Sequence, residues 1–367
     1  MKYYIISGEA SGDLHAGNLI KQLTLLDNQA SVRAWGGDLV QAAGATLVKH
    51  YRDLAFMGFA EVITNLPTII RNIRFCKQDI DAWQPDVLIL VDYPGFNLRI
   101  AEWAKKQGFK VVYYISPQVW AWKEGRVKKM KQCIDKMLCI LPFEKDYYRD
   151  KWNWEVEYVG HPLVEEIDKV LINGYAVTEE KVIALLPGSR KQEISKKLPI
   201  MLDVARSFPD YQFVVAKAPG LTDAFYQPFL EKYTNVSSVS NKTYDLLSKA
   251  TAALVTSGTA TLETALFGVP EVVCYKGSPI SYQIAKRLIK IKYISLVNLI
   301  MDKLVVKELI QDELTTANLV TELDELLNNE GRKTALMWDY KALKDILSKG
   351  GHASAQAAGI IYHLTST

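Results

Sequence analysis

In Thr256-Ser257-Gly258-Thr259-Ala260-Thr261-Leu262-Glu263 a strand-like run ends and a helix-like run begins among small hydroxyl residues and a glycine. The free amides and dipole of a helix start make an anion site, here flanked by Ser257, Gly258, Thr259 and Thr261. Without Gly-Lys-Ser/Thr the stretch is not a P-loop, so a diphosphate would be held by backbone and hydroxyl donors. Glu263, just over one turn on, is placed to hold both hydroxyls of a ribose. Small residues also allow a helix to pack closely on a sheet, but an inward glutamate then has no purpose. Leu186-Pro187-Gly188-Ser189-Arg190 occupies the matching place after an earlier strand-like run. Arg190 offers a planar fork of donors suited to a diphosphate; the plain alternative is an exposed turn arginine.

Two further turns carry carboxylates. Ser7-Gly8-Glu9-Ala10-Ser11-Gly12-Asp13 follows the first strand-like run. Its glycines let the backbone turn sharply and approach a ligand. There is no GxGxxG, so this is not a dinucleotide fingerprint. A turn capped by Ser11 is the structural alternative, though structure alone does not require Glu9. Asp92 begins Asp92-Tyr93-Pro94-Gly95-Phe96-Asn97, directly after Val87–Val91. A carboxylate there can act as general base on a sugar hydroxyl, an effect of about 10²–10⁴-fold. An aspartate after a strand is equally common as a helix cap, and spacing does not choose between the two.

These turns need strands and helices to hold them, and the chain alternates accordingly. Lys2–Ser7, Val87–Val91, Lys110–Ile115 and Val156–Val159 read as strands, with a helix from about Ser11 to Leu26. Continuous Val/Ile-rich runs are the mark of buried parallel strands. After a polar stretch over Val164–Glu180 the pattern restarts with Val182–Leu186, a helix over Glu193–Phe208, then Gln212–Ala216, Ala252–Val255 and Glu271–Tyr275. The expected architecture is α/β, two Rossmann-like doubly wound domains facing a central cleft, with ligands beyond the carboxyl ends of the strands. The domains are expected at 1–165 and 175–350, joined near residue 170. A last helix, Ala353–Leu364, packs back on the first.

Bulk properties exclude other classes. The 367 residues carry a net charge of only +3, too mild a balance to suggest nucleic-acid binding. Cys76, Cys133, Cys139 and Cys274 are scattered without CxxC spacing and read as free thiols of a reducing compartment. The opening MKYYIISGEASGD reads as a first strand rather than a secretory signal. No stretch is apolar for long enough to span a bilayer. Asp79 and Asp81 form a D-x-D on a helix ahead of a strand, where a solvated face is the expected reading. His161 follows a strand and is expected to face the cleft; His15, His50 and His363 read as plain surface or core residues. Basic amphipathic surface recurs three times: in Leu66–Lys77, where Leu66, Ile69, Ile70 and Ile73 keep helical spacing; in Lys123–Lys131 beside Trp120 and Trp122; and in Lys286–Lys292. Each can be a solvated core helix, but together they suit an anionic membrane.

In order along nearly the whole chain, Ser7–Asp13, Met57-Gly58, Asp92–Asn97, Ser116-Pro117-Gln118-Val119-Trp120-Ala121-Trp122, Leu141-Pro142-Phe143-Glu144, Gly160-His161-Pro162, Pro187–Arg190, Ser257–Glu263, Asn298, Glu308–Gln311 and Gly350-Gly351-His352-Ala353-Ser354 resemble the lipid-A-disaccharide synthases. The Ser-Pro-x-Val-Trp-Ala-Trp segment is the specific one. The Ser-Gly-Thr-Ala-Thr-Leu-Glu loop is shared more widely among nucleotide-sugar enzymes. Departures are local: Val297 stands where the family usually has proline, and Met301 and Lys307 differ.

The resemblance implies a GT-B fold and an inverting transfer. The sugar moves from UDP-2,3-diacylglucosamine to the 6-hydroxyl of 2,3-diacylglucosamine 1-phosphate, giving a β-1,6 disaccharide and UDP. No metal or other cofactor is implied. Asp92 is the expected base, with Glu9 the competing candidate. Arg190, Ser257, Gly258, Thr259, Thr261, Glu263, Tyr275, Asn298 and Gln311 are expected on the UDP-sugar. Gly8, Ser11, Met57, Trp120, Trp122, Lys123, Arg126, Ile69, Ile70 and Ile73 are expected on the acceptor and its lipid. The protein would lie peripherally on the inner leaflet of the cytoplasmic membrane, and a homodimer is among the assemblies allowed. The rivals are a UDP-N-acetylglucosamine 2-epimerase, a peptidoglycan N-acetylglucosaminyl transferase, and a non-catalytic nucleotide-sugar sensor. The Ser-Pro-x-Val-Trp-Ala-Trp segment argues against the two enzymes.

Overall fold

The computed structural model describes residues 1–53, 66–172, 180–278, 282 and 292–366. Met57, Gly58 and most of Lys286–Lys292 lie outside them. The chain divides into two compact units, Met1–Pro162 with Leu347–Thr367, and Leu163–Ile346.

The first unit is built on β1 (Lys2–Ser7), β2 (Ser31–Gly36), β3 (Thr46–His50), β4 (Val87–Val91), β5 (Val111–Tyr114), β6 (Lys136–Cys139) and β7 (Glu157–Tyr158). They form one parallel sheet in the order β3-β2-β1-β4-β5-β6-β7. All five residues of β4 are buried, as a central strand covered on both faces requires. Alternate residues feed two separate cores: Tyr4, Ile6, Leu88 and Leu90 on one face, and Tyr3, Ile5, Val87 and Ile89 on the other.

The second unit repeats the plan with β8 (Val182–Leu186), β9 (Gln212–Lys217), β10 (Val236–Ser240), β11 (Ala252–Thr256), β12 (Glu271–Tyr275) and β13 (Lys307–Ile310), in the order β10-β9-β8-β11-β12-β13. Strand order reverses between β1 and β4 and again between β8 and β11. A crevice opens at the carboxyl ends of such a pair. The pairings Ser7↔Val91 and Leu186↔Val255 bring the four functional turns out side by side, two on each unit.

The structure redraws some boundaries. The stretch read as polar from Val164 is the helix Pro162–Ile172. Leu163, Val164 and Ile167 are buried, while Glu165, Glu166, Asp168 and Lys169 hid that spacing from the eye. The next helix runs Lys191–Asp203 and tightens into a 3-10 turn over Val204–Ser207.

Residues 347–367 return to the first unit. Ala353, Ala357, Ala358 and Ile361 of the helix Ala353–Ser366 join the core formed by Ala16, Leu19, Ile20 and Leu23 of the helix Ala10–Leu26. The two glycine-rich motifs meet at the entry to that helix. A Cβ on Gly350 would lie 2.1 Å from the Gly160 nitrogen, so only glycine lets these backbones pass. The amide of His161 donates to the Leu347 carbonyl at 3.3 Å, and the Tyr158 hydroxyl donates to the same oxygen at 3.0 Å.

Candidate active site

At the first unit's switch point Asp92 and Tyr93 both adopt left-handed backbone, φ +46° and +49°. Non-glycine residues hold that conformation only where their surroundings enforce it. Here the Asp92 carbonyl accepts from the Asn97 side-chain amide at 2.7 Å and from the Tyr113 hydroxyl at 2.6 Å. Burial pushes the Asp92 carboxyl up to about 6, and the nearby charge of Glu9 adds to the effect. Asp92 therefore does not act as the helix cap that spacing allowed. Tyr93 stands at the cap position of the helix Pro94–Lys106, without a side-chain cap bond.

The glycine turn after β1 is shaped by Tyr93. A Cβ on Gly8 would fall 2.3 Å from that ring, so glycine is needed for close approach. Glu9 and Ser11 are exposed. The helix begins at Ala10 with Glu9 at its cap position, so Ser11 lies inside the first turn and does not cap it. Asp13 is buried and receives the amides of Gly37 (2.6 Å), Leu39 (3.1 Å) and Val40 (3.2 Å), closing the start of the short helix Asp38–Ala42. Its place in the motif is architectural.

Within the first unit a cavity of about 360 Å³ opens along Pro94, Leu98, Arg99, Glu102, Arg126, Lys129 and Met130. It combines an apolar wall with the cations Arg99, Arg126 and Lys129 and the carboxylate of Glu102, which lies 3.6 Å from the Lys129 ammonium. The aromatic motifs meet at Glu144, which is buried and accepts from Trp120 Nε1 at 3.2 Å and from the Leu141 amide at 3.1 Å. Burial raises the Glu144 carboxyl to about 7 against those two donors. Trp120 is thus pinned, edge-on to Phe143 at 4.9 Å. Trp122, by contrast, is 58 % exposed and has the Lys123 ammonium 3.8 Å from its ring centroid. His161 is buried, and burial, with the nearby charge of His15, lowers its ring to about 3, so it stays neutral.

In the helix Leu66–Trp83, Asn72, Cys76 and Ile80 are buried and Ile73 packs against the core. Ile73 is therefore not an outward lipid contact. Ile69 is half-buried, and Ile70 is exposed, as is Phe75. Asp79 binds the Arg33 guanidinium and the Tyr4 hydroxyl (2.6 Å), so half of the D-x-D is a structural ion pair. No helix among the described residues is long and apolar enough to cross a membrane.

At the second unit's switch point Gly188, Ser189, Arg190, Ser257, Gly258, Thr259 and Glu263 line one cavity of about 510 Å³, well within the range of small-ligand sites. Gly258 caps the helix Thr259–Leu266 at φ +138°. Glu263 is held by the Tyr244 hydroxyl at 3.0 Å, and burial raises its carboxyl. Thr261 is not on the cavity wall: it is buried and its hydroxyl donates to the Gly258 carbonyl at 2.8 Å.

One other predicted residue, Asn298, belongs to a support behind this turn. Asn298 is buried, donating to the Val306 carbonyl (2.8 Å) and Glu308 Oε1 (2.9 Å) and accepting from the amides of Val305 and Val306. Its side chain is spent on the fold. Glu308 in turn receives the amides of Ile294 and Ser295, and the Ile294 carbonyl accepts from Ser257 Oγ at 2.8 Å. Gln311 accepts from the Gly277 amide at 2.8 Å, two residues beyond Tyr275, which ends β12 half-buried.

Sequence reasoning missed Glu193 and Lys197. Arg190 Nη1 lies 3.3 Å from Glu193 Oε1, and Lys197, 3 % exposed along its side chain, lies 4.0 Å from Glu193 Oε2. The i, i+3 and i, i+4 spacings of Arg190-Glu193-Lys197 were the available signal.

Comparison with known proteins places these features. A family model described as lipid-A-disaccharide synthetase matches residues 3–360. A lipid-A-disaccharide synthase of Geobacter metallireducens is 38 % identical, covering 98 % of this chain and 96 % of its own. That of Trichlorobacter lovleyi is 38 % identical over 97 % and 96 %. Among solved structures, a UDP-GlcNAc 2-epimerase from Neisseria meningitidis bound to UDP-GlcNAc matches with TM-score 0.67 at 14 % identity, covering both chains fully. CalG4, the calicheamicin glycosyltransferase, matches with TM-score 0.63 at 16 % identity, covering 100 % and 98 %. Epimerases and transferases thus share the GT-B fold with this chain, and fold alone does not choose between them.

Proposed function

Because the chain belongs to the lipid-A-disaccharide synthase family, we propose that Asp92 is its base and the Arg190–Ser257 cavity its UDP site. The chain is a glycosyltransferase of lipid A disaccharide synthesis acting on nucleotide-sugar substrates. In the proposed reaction the donor is UDP-2,3-diacylglucosamine and the acceptor 2,3-diacylglucosamine 1-phosphate. Asp92 takes the proton of the acceptor 6-hydroxyl while its oxygen attacks the anomeric carbon opposite the departing UDP. The configuration inverts, giving the β-1,6 linkage.

Negative charge develops on the leaving diphosphate. Arg190 and the amides at the start of the helix Thr259–Leu266 meet it, which is where preorganised donors lower a barrier. This reading asks for no metal or other cofactor. Glu263, braced by Tyr244, holds the ribose hydroxyls. The Arg99 and Arg126 cations suit the acceptor phosphate, Lys129 being paired with Glu102, with Leu98 and Met130 against an acyl chain. Exposed Ile70, Phe75 and Trp122, with Arg71, Arg74 and Lys123 in the same stretches, support a peripheral seat on the inner membrane.

One observation carries the reading most directly. Each unit presents its predicted side chains at its own strand-order reversal, a pushed-up carboxyl on one and an arginine beside a free helix start on the other. Purified protein is incubated with UDP-2,3-diacylglucosamine in detergent, with and without the 1-phosphate acceptor. Acceptor-dependent UDP release with a new disaccharide is expected. Acceptor-independent isomerisation of the sugar would instead assign an epimerase.

A further inference from the structure

The helix Lys191–Asp203 buries Ile194, Leu198, Met201 and Leu202, and among these apolar side chains one cation, Lys197. An ammonium is costly to bury unless it is paired and hydrogen-bonded, and packing alone would be served by a methionine. Lys197 Nζ donates to Thr256 Oγ1, at the end of β11 and directly before Ser257-Gly258. A Cβ on Gly188 would lie 3.5 Å from the same nitrogen and 3.1 Å from Glu193 Oε2. The ammonium therefore sits under both turns of the second unit at once.

Glu193 stands between two cations. One oxygen faces Arg190 at 3.3 Å, the other faces Lys197 at 4.0 Å. Arg190 is 71 % exposed along its side chain and free to reorient, whereas Lys197 is enclosed. An arriving diphosphate draws Arg190 off Glu193, which would leave a bare carboxylate on the wall of a cavity now holding a second anion. Two negative charges on one cavity wall repel, less strongly for Glu193 being 39 % exposed along its side chain.

We propose that Lys197 is a positioning residue that neutralises Glu193 when Arg190 turns from that carboxylate to the donor diphosphate. Glu193 is accordingly the internal stand-in for the diphosphate, and Lys197 is what makes the exchange cheap. The proposal rests on the reading of the Arg190–Ser257 cavity as the diphosphate site.

UDP binding to the full chain is measured by titration calorimetry for the wild type, Arg190→Ala, Lys197→Met, Glu193→Gln and the Lys197→Met/Glu193→Gln double variant. Lys197→Met is expected to weaken UDP at least tenfold. Glu193→Gln is expected to tighten it about threefold, because Arg190 loses its internal competitor. The double variant is expected to recover at least tenfold over Lys197→Met, a non-additive pattern that a packing role does not produce. Lys197→Met binding within threefold of wild type, or a double variant no better than Lys197→Met, overturns the proposal. If Lys197→Met does not fold, Lys197→Gln, which keeps a donor for Thr256 without the charge, is judged by the same criteria. Wild type that does not bind UDP, or Arg190→Ala that binds it unchanged, removes the underlying site assignment instead.

Discussion

The phenol of Tyr113, on β5, donates to the main-chain carbonyl of Asp92 at 2.6 Å, so the candidate base is held through its backbone, while its carboxyl accepts from the Tyr93 amide. With Asn97 on the same oxygen, the left-handed turn at Asp92 is determined from two sides.

A base works only when ionised. With its carboxyl raised to about 6 by burial and by Glu9, Asp92 loses its proton as pH rises through that value. The acid limb of kcat/KM is expected near pH 6, with activity rising above it. Glu9→Gln removes the raising charge and should move the limb to lower pH. Asp92→Asn should cost about 10²–10⁴-fold. A limb that Glu9→Gln leaves in place would separate the two carboxylates.

Arg190→Ala is expected to lower kcat/KM by roughly 10²–10³-fold, the usual scale for losing one donor to developing charge. Arg190→Lys should recover little, since a point charge does not reproduce a planar fork. Steady-state kinetics over donor concentration checks both, and a lysine variant at wild-type rate would exclude bidentate contact.

Gly350→Ala places a Cβ 2.1 Å from the Gly160 nitrogen and 2.6 Å from the Val159 carbonyl carbon, neither of which can step aside. A loss of more than about 3 kcal/mol is expected, from backbone strain in a packed crossing. Gly95→Ala, with nothing within 4 Å of the new atom, is the control. Denaturant unfolding of the two variants measures the difference.

Ile70→Ser with Phe75→Ser removes two exposed apolar side chains from the helix Leu66–Trp83. Binding to anionic phospholipid vesicles should fall about tenfold, with the thermal midpoint little changed, because each side chain buries only part of its surface. Ile73→Ser should do the reverse, since Ile73 packs on the core. Co-sedimentation with vesicles and a melting curve read the two effects separately.

Most of the fold was legible because central parallel strands announce themselves: the five buried residues of β4 are Val-Leu-Ile-Leu-Val. The helix Pro162–Ile172 was not, because its buried positions are diluted by four charged residues. Of the site, the turns were readable from glycine and strand ends. The roles within them were not, since they depend on where a side chain points. Thr261 turns inward to donate its hydroxyl to the Gly258 carbonyl, and Asn298 spends its amide on the fold, while neighbours of the same type line the cavity. Lys197 escaped notice because a lysine on a polar-looking helix reads as solvated until its burial is seen.

The Gly160–Gly350 crossing makes Leu163–Ile346 an insertion within the first unit. On the ribosome, the helix Ala10–Leu26 and its sheet emerge long before the helix that covers them. At roughly 5–20 residues per second the wait is on the order of ten to forty seconds. Through that interval Leu19, Ile20 and Leu23 lack part of their eventual cover. The half of the enzyme bearing Asp92 is thus translated first and completed last, leaving nascent chains exposed to chaperones and proteases over that window.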